Sequence, residues 1–203
     1  MKENMNDISR LLKAISFAAY KHRDQRRKCE MAVPYINHLL AVAETLWERG
    51  KVRDIDTVLA GLLHDTLEDT TTSPQELEDL FGEKVRSIVE EVTDDKRLPK
   101  SERKRLQIER AGKASLAARH VKLADKICNL RDLIQAPPVG WSRQRLQDYT
   151  DWAKQVIDGL RGSNEELEHC FDELCRKATA HFKQTGKEET ERRKPYEDVV
   201  QSP

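Results

Sequence analysis

The sequence predicts an all-α fold built as a single domain. Three observations carry that reading. Apolar residues recur every three or four positions in nearly every segment, which is the period of a helix with one buried face. No stretch alternates apolar and polar residues over the length of a strand. Charged residues make up 35% of the chain against 5% aromatics, the composition of a helical protein with salt-laced surfaces. At 203 residues the chain is long enough to bury one sizeable core.

Each element follows from its own signals. Ile8, Leu11, Leu12, Ile15 and Ala19 form the first apolar stripe, and the basic run Lys21–Lys28 ends it. Pro34 sits where a first helical residue tolerates proline. Ile36, Leu39, Leu40, Ala43 and Leu46 continue that second helix until Gly50 closes it. Val58 to Leu67 reads as a buried helix. Ser73-Pro74-Gln75-Glu76 is a capping box that starts another, with Gly82 as its stop. Val85, Ile88, Val89 and Val92 form the next stripe, and Thr93 to Pro99 a loop. Leu106 to Arg110 predicts a more exposed helix, and Leu116 to Ile134 a deeply packed one. Pro137-Pro138 breaks the chain. Ser142 can cap a helix that turns Leu146, Tyr149, Ala153, Val156 and Leu160 inward, and Ser163-Asn164 a last one through Leu167, Phe171, Leu174 and Ala178. The composition thus gives a folded domain over 1–183. Residues 184–203 are rich in Lys, Glu, Arg and Thr and read as a disordered tail.

Lys+Arg and Asp+Glu balance at 36 each, so no global field calls for nucleic acid. No apolar run approaches the roughly 18 residues that span a bilayer, and no signal-peptide pattern opens the chain. Cys29, Cys128, Cys170 and Cys175 show no C-x-x-C spacing and read as reduced thiols of a cytoplasmic protein. Oligomeric state is left open.

The most informative segment is Gly61-Leu-Leu-His-Asp-Thr-Leu-Glu-Asp-Thr70, which sets His64-Asp65 and Glu68-Asp69 in an apolar helix. With about 3.6 residues per turn, His64 stacks on Glu68 and Asp65 on Asp69. Four such groups facing a core carry a heavy desolvation cost unless paired or metallated. Two distant residues are candidates to join them: His38, near the start of the second helix, and Asp125, inside the packed Leu116–Ile134 helix. A mixed nitrogen and oxygen ligand set suits Mn²⁺, Fe²⁺, Zn²⁺ or Co²⁺ better than Ca²⁺ or Mg²⁺. Taken alone, His38 reads as a packed or solvated histidine, the usual role of a lone histidine on a helix. Asn129 shares a face with Asp125 and either orients a ligand or packs two helices. The basic run 21–28 is either a phosphate clamp or a solvated helix end favoured by the dipole, and the run 97–105 has the same two readings. His22, His169 and His181 read as surface residues.

Tyr35-Ile-Asn-His38, Leu63-His-Asp-Thr-Leu-Glu-Asp-Thr70 and Val121-Lys-Leu-Ala-Asp-Lys-Ile-Cys-Asn-Leu-Arg131 together resemble the hydrolase domain of RelA/SpoT proteins. That domain is a branch of the HD-domain metallophosphohydrolases. Arg23–Lys28, Glu90–Lys96, Leu98-Pro-Lys100, Glu102–Gln107 and Gly140-Trp-Ser142 match it as well, in the family's order and spacing, over residues 8–176. The stand-alone form, the metazoan SpoT homologue and the bacterial small alarmone hydrolases, is the most similar. The chain departs from it at Cys29–Val33, where relatives carry a glycine-containing acidic loop, and at Leu39, where proline is usual.

The resemblance implies an HD-domain helical bundle with one Mn²⁺, held by His38, His64, Asp65 and Asp125. It implies Glu68 and Asp69 as the catalytic acidic pair. Substrate contacts fall on Arg27, Lys28, Tyr35, Lys100, Asn129, Arg145 and Tyr149. The implied activity is guanosine-3′,5′-bis(diphosphate) 3′-pyrophosphohydrolysis of the alarmones guanosine tetra- and pentaphosphate. The alternatives are the same metal site acting on the adenosine alarmones, or as an NADPH 2′-phosphatase. More distant is an alarmone sensor that binds without turnover. The implied partner is a small nucleotide, with no nucleic acid and no membrane.

Overall fold

A computed structural model describes residues 2–192, with side chains over 6–182. Among the described residues the chain forms ten α-helices and one π-helical turn, with no strand beyond two isolated bridges. The helices are α1 (Lys2–Lys21), α2 (Ile36–Glu44), α3 (Ile55–Leu63), α4 (Thr66–Asp69) and α5 (Pro74–Phe81). They continue as α6 (Glu83–Val92), α7 (Lys100–Ala111), α8 (Leu116–Gln135), α9 (Arg143–Asp158) and α10 (Glu165–Arg192). The π turn, Thr45–Arg49, extends α2. No helix among the described residues is long and apolar enough to cross a membrane.

The predicted caps form. Ser73 accepts from the Glu76 N–H at 3.1 Å ahead of Pro74. Ser142 accepts from Arg145 N–H at 3.3 Å, and Asn164 Oδ1 from Leu167 N–H at 3.0 Å. Gly82, with φ 94°, separates α5 from α6 in a backbone conformation that side chains rarely adopt.

Helix α8 is the central post. It packs on α2, α3, α6, α9, α10 and the π turn, and Val121, Leu123, Ala124, Ile127 and Leu130 along it are fully buried. Helix α3 presses closely on the α2 arm. A Cβ on Gly61 would lie 2.5 Å from Leu46 Cδ1, so the glycine leaves room for that leucine side chain between the two elements.

Several elements differ from the sequence reading. The core face of α1 is Leu11, Ala14, Ile15 and Ala18, whereas Ile8 and Leu12 are each 59% exposed. The alanines set that face because small residues let α1 lie close to its neighbours. Helix α2 begins at Ile36, not Pro34, because Pro34 is occupied in a bridge to Arg26. Helix α7 begins at Lys100, well ahead of Leu106, as a mostly polar helix without a wide stripe. His22 is buried, its ring stacked on Tyr35 with centroids 5.3 Å apart. The last helix runs to Arg192, through residues 184–192 that composition assigned to a tail, and the remainder of that tail lies outside the described residues.

The helix predicted from Val58 to Leu67 is broken at its motif. Helix α3 stops at Leu63, His64 and Asp65 form a turn, and α4 resumes at Thr66. Thr66 Oγ1 donates to Leu63 O at 2.6 Å and His64 Nδ1 lies 2.9 Å from Gly61 O. Side chains thereby satisfy carbonyls that a continuing helix would have used.

Candidate active site

Three elements converge on the break. His38 comes from the first turn of α2, His64 and Asp65 from the α3–α4 turn, and Asp125 from the middle of α8. Ligand atoms of His38, His64 and Asp65 all lie within 4.8 Å of one another. Asp125 Oδ1 is 3.2 Å from His38 Nε2 and 3.7 Å from His64 Nε2. The four residues that sequence nominated as ligands therefore share one buried point.

Their chemistry fits a divalent cation. Both ring nitrogens of His38 and Nε2 of His64 are buried without a hydrogen-bond partner. Buried polar atoms in folded proteins are nearly always satisfied, and a cation at this point would satisfy two of the three. The neighbours fix these side chains. With Nδ1 of His64 directed to the Gly61 carbonyl, its Nε2 faces the cluster. Tyr35 donates its hydroxyl to Asp65 Oδ2 at 2.6 Å. Lys126 donates to Asp125 Oδ2 at 2.9 Å.

Burial alone would lower the His64 pKa, but the Asp65 and Asp125 carboxylates overcome it and raise the ring to about 10. Burial likewise opposes ionisation of Asp125, yet the Lys126 ammonium and the two histidines hold it well below the usual carboxylate range. Asp65 is depressed in the same way, chiefly by His64.

Glu68 and Asp69 project past this cluster in different directions. Glu68 Oε2 accepts from the backbone N–H of Asp94 at 3.1 Å, and Oε1 lies 3.5 Å from Arg103. Burial raises the Glu68 pKa, with the charges of Asp94, Asp65 and Asp69 adding to it against the Asp94 N–H bond. Asp69 accepts from Gln25 Nε2 at 2.8 Å on one oxygen and pairs with Lys96 on the other. Helical spacing put these two groups on the faces of the histidine and aspartate. In the structure each has partners of its own.

A cleft of about 290 Å³ opens beside the cluster, lined by Arg27, Lys28, Cys29, Tyr35, Asn129, Trp141 and Tyr149 among others. Its mouth is cationic. Lys100 has its pKa lowered first by burial and then by the charges of Arg145, Lys28 and Arg103. Convergent like charges of this kind favour a polyanion. Arg145 lies over the Trp141 ring at 4.2 Å and Lys100 at 5.9 Å.

The substrate candidates do not all stand free. Arg27 donates to Asn129 Oδ1 at 3.2 Å and pairs with Asp132, so its guanidinium braces α8. Tyr35 is half-buried with its hydroxyl committed to Asp65. Lys28, Lys100 and Arg145 are exposed. The segment Cys29–Val33 forms one wall, tied across to the Pro138 loop by a Cys29 bridge and by Val139 N–H to Lys28 O at 2.8 Å. Within it Ala32 holds φ 44°, a left-handed conformation that favours glycine.

Sequence reasoning missed Lys126, Gln25, Lys96 and Arg103 as partners of the acidic groups. Lys126 carried a signal: a lysine in the middle of a buried apolar helix needs an anion. Gln25, Lys96 and Arg103 lie in polar runs where nothing distinguishes them from solvated residues.

An all-helical fold with a buried His/Asp cluster that could hold a metal ion agrees with the class that the family match gives: a metal-dependent phosphohydrolase with an HD domain. Residues 14–152 match that family, and the chain belongs to it. Among curated relatives, the guanosine-3′,5′-bis(diphosphate) 3′-pyrophosphohydrolase MESH1 of Xenopus tropicalis is 54% identical over 169 residues, covering 83% of this chain and 94% of its own. The human protein of that name is 51% identical over 181 residues, covering 89% and 97%. A solved structure described as a metazoan ortholog of SpoT that hydrolyzes ppGpp superposes with a TM-score of 0.81 at 48% identity, covering 83% of this chain and 94% of that one.

Proposed function

We infer that the protein is a guanosine-3′,5′-bis(diphosphate) 3′-pyrophosphohydrolase, with Mn²⁺ as its resident cation and a cytoplasmic location. Water attacks the phosphorus attached to the ribose 3′-oxygen. The P–O bond to that oxygen breaks, pyrophosphate leaves, and the 3′-oxygen takes a proton. Guanosine tetraphosphate yields GDP and the pentaphosphate yields GTP. The observation that carries the reading is the meeting of His38, His64, Asp65 and Asp125 beside a cationic cleft, in a chain half identical to enzymes bearing that name.

A bound divalent cation supplies positive charge for the reacting phosphate and lowers the pKa of water. His38, His64, Asp65 and Asp125 would hold it. Glu68 is the proton acceptor, because burial has already raised its affinity for a proton and its carboxylate is oriented by the Asp94 N–H. Asp69, held from both sides by Gln25 and Lys96, stays a fixed acceptor that orients the attacking water. Lys28, Lys100 and Arg145 neutralise the phosphates while charge moves onto the departing ribose 3′-oxygen. Tyr149 and Trp141, with ring centroids 6.1 Å apart, offer apolar surface to the nucleoside. Unpaired thiols at all four cysteines support the cytoplasmic location.

The test is product analysis after incubation with Mn²⁺ and a nucleotide panel of guanosine tetraphosphate, its adenosine analogue and NADPH. Pyrophosphate and GDP from the guanosine compound, at the highest kcat/KM of the three, are expected. A guanosine rate tenfold or more below either competitor overturns the substrate assignment and leaves only the reaction class.

A further inference from the structure

Glu68 owes its orientation to a loop, and the loop to a side chain outside the site. Residues 93–99 join α6 to α7, and the backbone N–H of Asp94 within them donates to Glu68 Oε2 at 3.1 Å. The Asp94 carboxylate accepts from Gln107 Nε2, two turns into α7, at 2.6 Å. Gln107 has only this bond: its Oε1 is buried without a partner. That asymmetry fixes which way the amide points, since a flipped amide would set its oxygen against a carboxylate. A buried amide that leaves half its capacity unsatisfied costs stability, so its retained bond has a use. From the other side Lys122 of α8 donates to Val92 O at 2.7 Å and pins the start of the same loop.

We propose that Gln107 is a positioning residue for the hydrolytic reaction, clamping Asp94 so that its backbone N–H presents the Glu68 carboxylate to the attacking water. This rests on Glu68 being the proton acceptor. Gln107 is not among the residues that line the cleft, which include Lys28 and Trp141; it lines a separate cavity with Asp94, Arg103 and Lys122. Its loss therefore acts on turnover and leaves substrate and metal affinity in place.

The experiment is a double-mutant cycle on the full chain loaded with Mn²⁺, with guanosine tetraphosphate as substrate. Gln107→Leu removes the donor. Gln107→Glu keeps the size and packing, removes the donor, and serves where the leucine variant does not fold. Each is made with wild-type Glu68 and with Glu68→Gln. With Glu68 present, kcat falls about tenfold, the scale of one hydrogen bond, while KM and metal content are unchanged. With Glu68→Gln, the residual kcat does not fall further, because Gln107 has nothing left to position. An equal further fall in the Glu68→Gln background, a loss confined to KM, or wild-type kcat in Gln107→Glu overturns the proposal. Full activity in Glu68→Gln alone overturns the proton-acceptor reading, and the positioning role with it, by a result distinct from those three.

Discussion

Asn129 donates its amide to Asp125 Oδ1 at 2.6 Å, one helical turn along α8, while its carbonyl accepts from Arg27 at 3.2 Å. The residue thus ties Asp125, one of the four residues proposed to hold the cation, to Arg27 in the wall of the cleft. Groups that orient ligands from behind tune metal affinity by about 10–100-fold. Asn129→Leu should weaken Mn²⁺ binding within that range, measured by metal titration of the purified protein. An unchanged metal affinity with a raised KM would show instead that Asn129 serves the nucleotide directly.

Lys126 is 4% exposed and lies against Asp125. Removing one partner of a buried pair leaves an uncompensated charge, at a cost of about 3–5 kcal/mol. Lys126→Met should therefore lower the melting temperature of the metal-free protein sharply. If Asp125 holds the cation as proposed, adding Mn²⁺ should offset part of its charge and the loss should shrink. Equal losses in the two states would show that Lys126 matters through its packing, which includes the Trp152 ring 4.9 Å away.

The elevated Glu68 pKa sets a sign for the pH dependence. Burial disfavours its carboxylate, so the group binds a proton above the ordinary glutamate range of about 4.5. A proton acceptor must be ionised, so kcat should fall as pH drops through that raised value. The acid limb should vanish from the residual activity of Glu68→Gln. An identical acid limb in that variant would assign the titration to another group.

Arg27 and Lys28 are neighbours with different expected fates. Lys28 is exposed, so Lys28→Ala should raise KM with the melting temperature nearly unchanged. Arg27 braces Asp132 and Asn129 and lies 5.5 Å from the Tyr35 ring centre. Arg27→Ala should lower stability by about 1–3 kcal/mol, the cost of stranding a partly buried charge-assisted bond, as well as impair binding. Matching thermal stabilities for the two variants would show that Arg27 is as free as Lys28.

Most helices were legible because their signals are local. Ser73-Pro74, Ser142 and Asn164 announce their caps within four residues, and the α6 and α8 stripes bury the residues their spacing predicts. Helix α7 was only half visible, because a helix rich in Lys, Arg and Glu leaves few apolar positions to count. The four candidate ligands could be named from the sequence, but their meeting at one point could not. Periodicity names His64 and Asp65, yet their nearness to His38 and Asp125 depends on Gly61 and Leu46 packing, a tertiary fact. The break after Leu63 is invisible for a similar reason. Thr66 and His64 are ordinary helical residues until their side chains take the carbonyls of Leu63 and Gly61.

That break bears on anyone who would transplant the site. Grafting the motif residues onto an uninterrupted helix would keep the order of the side chains and lose their aim. Histidine and glutamate would then stack along one ridge, as would the two aspartates, and all four would compete for the same space. The native turn at His64-Asp65 sends the first pair to one centre and releases Glu68 toward Asp94 and Asp69 toward Gln25 and Lys96. A designed counterpart would need an interruption at the same register, with a hydroxyl placed like that of Thr66 to seal the preceding carbonyl.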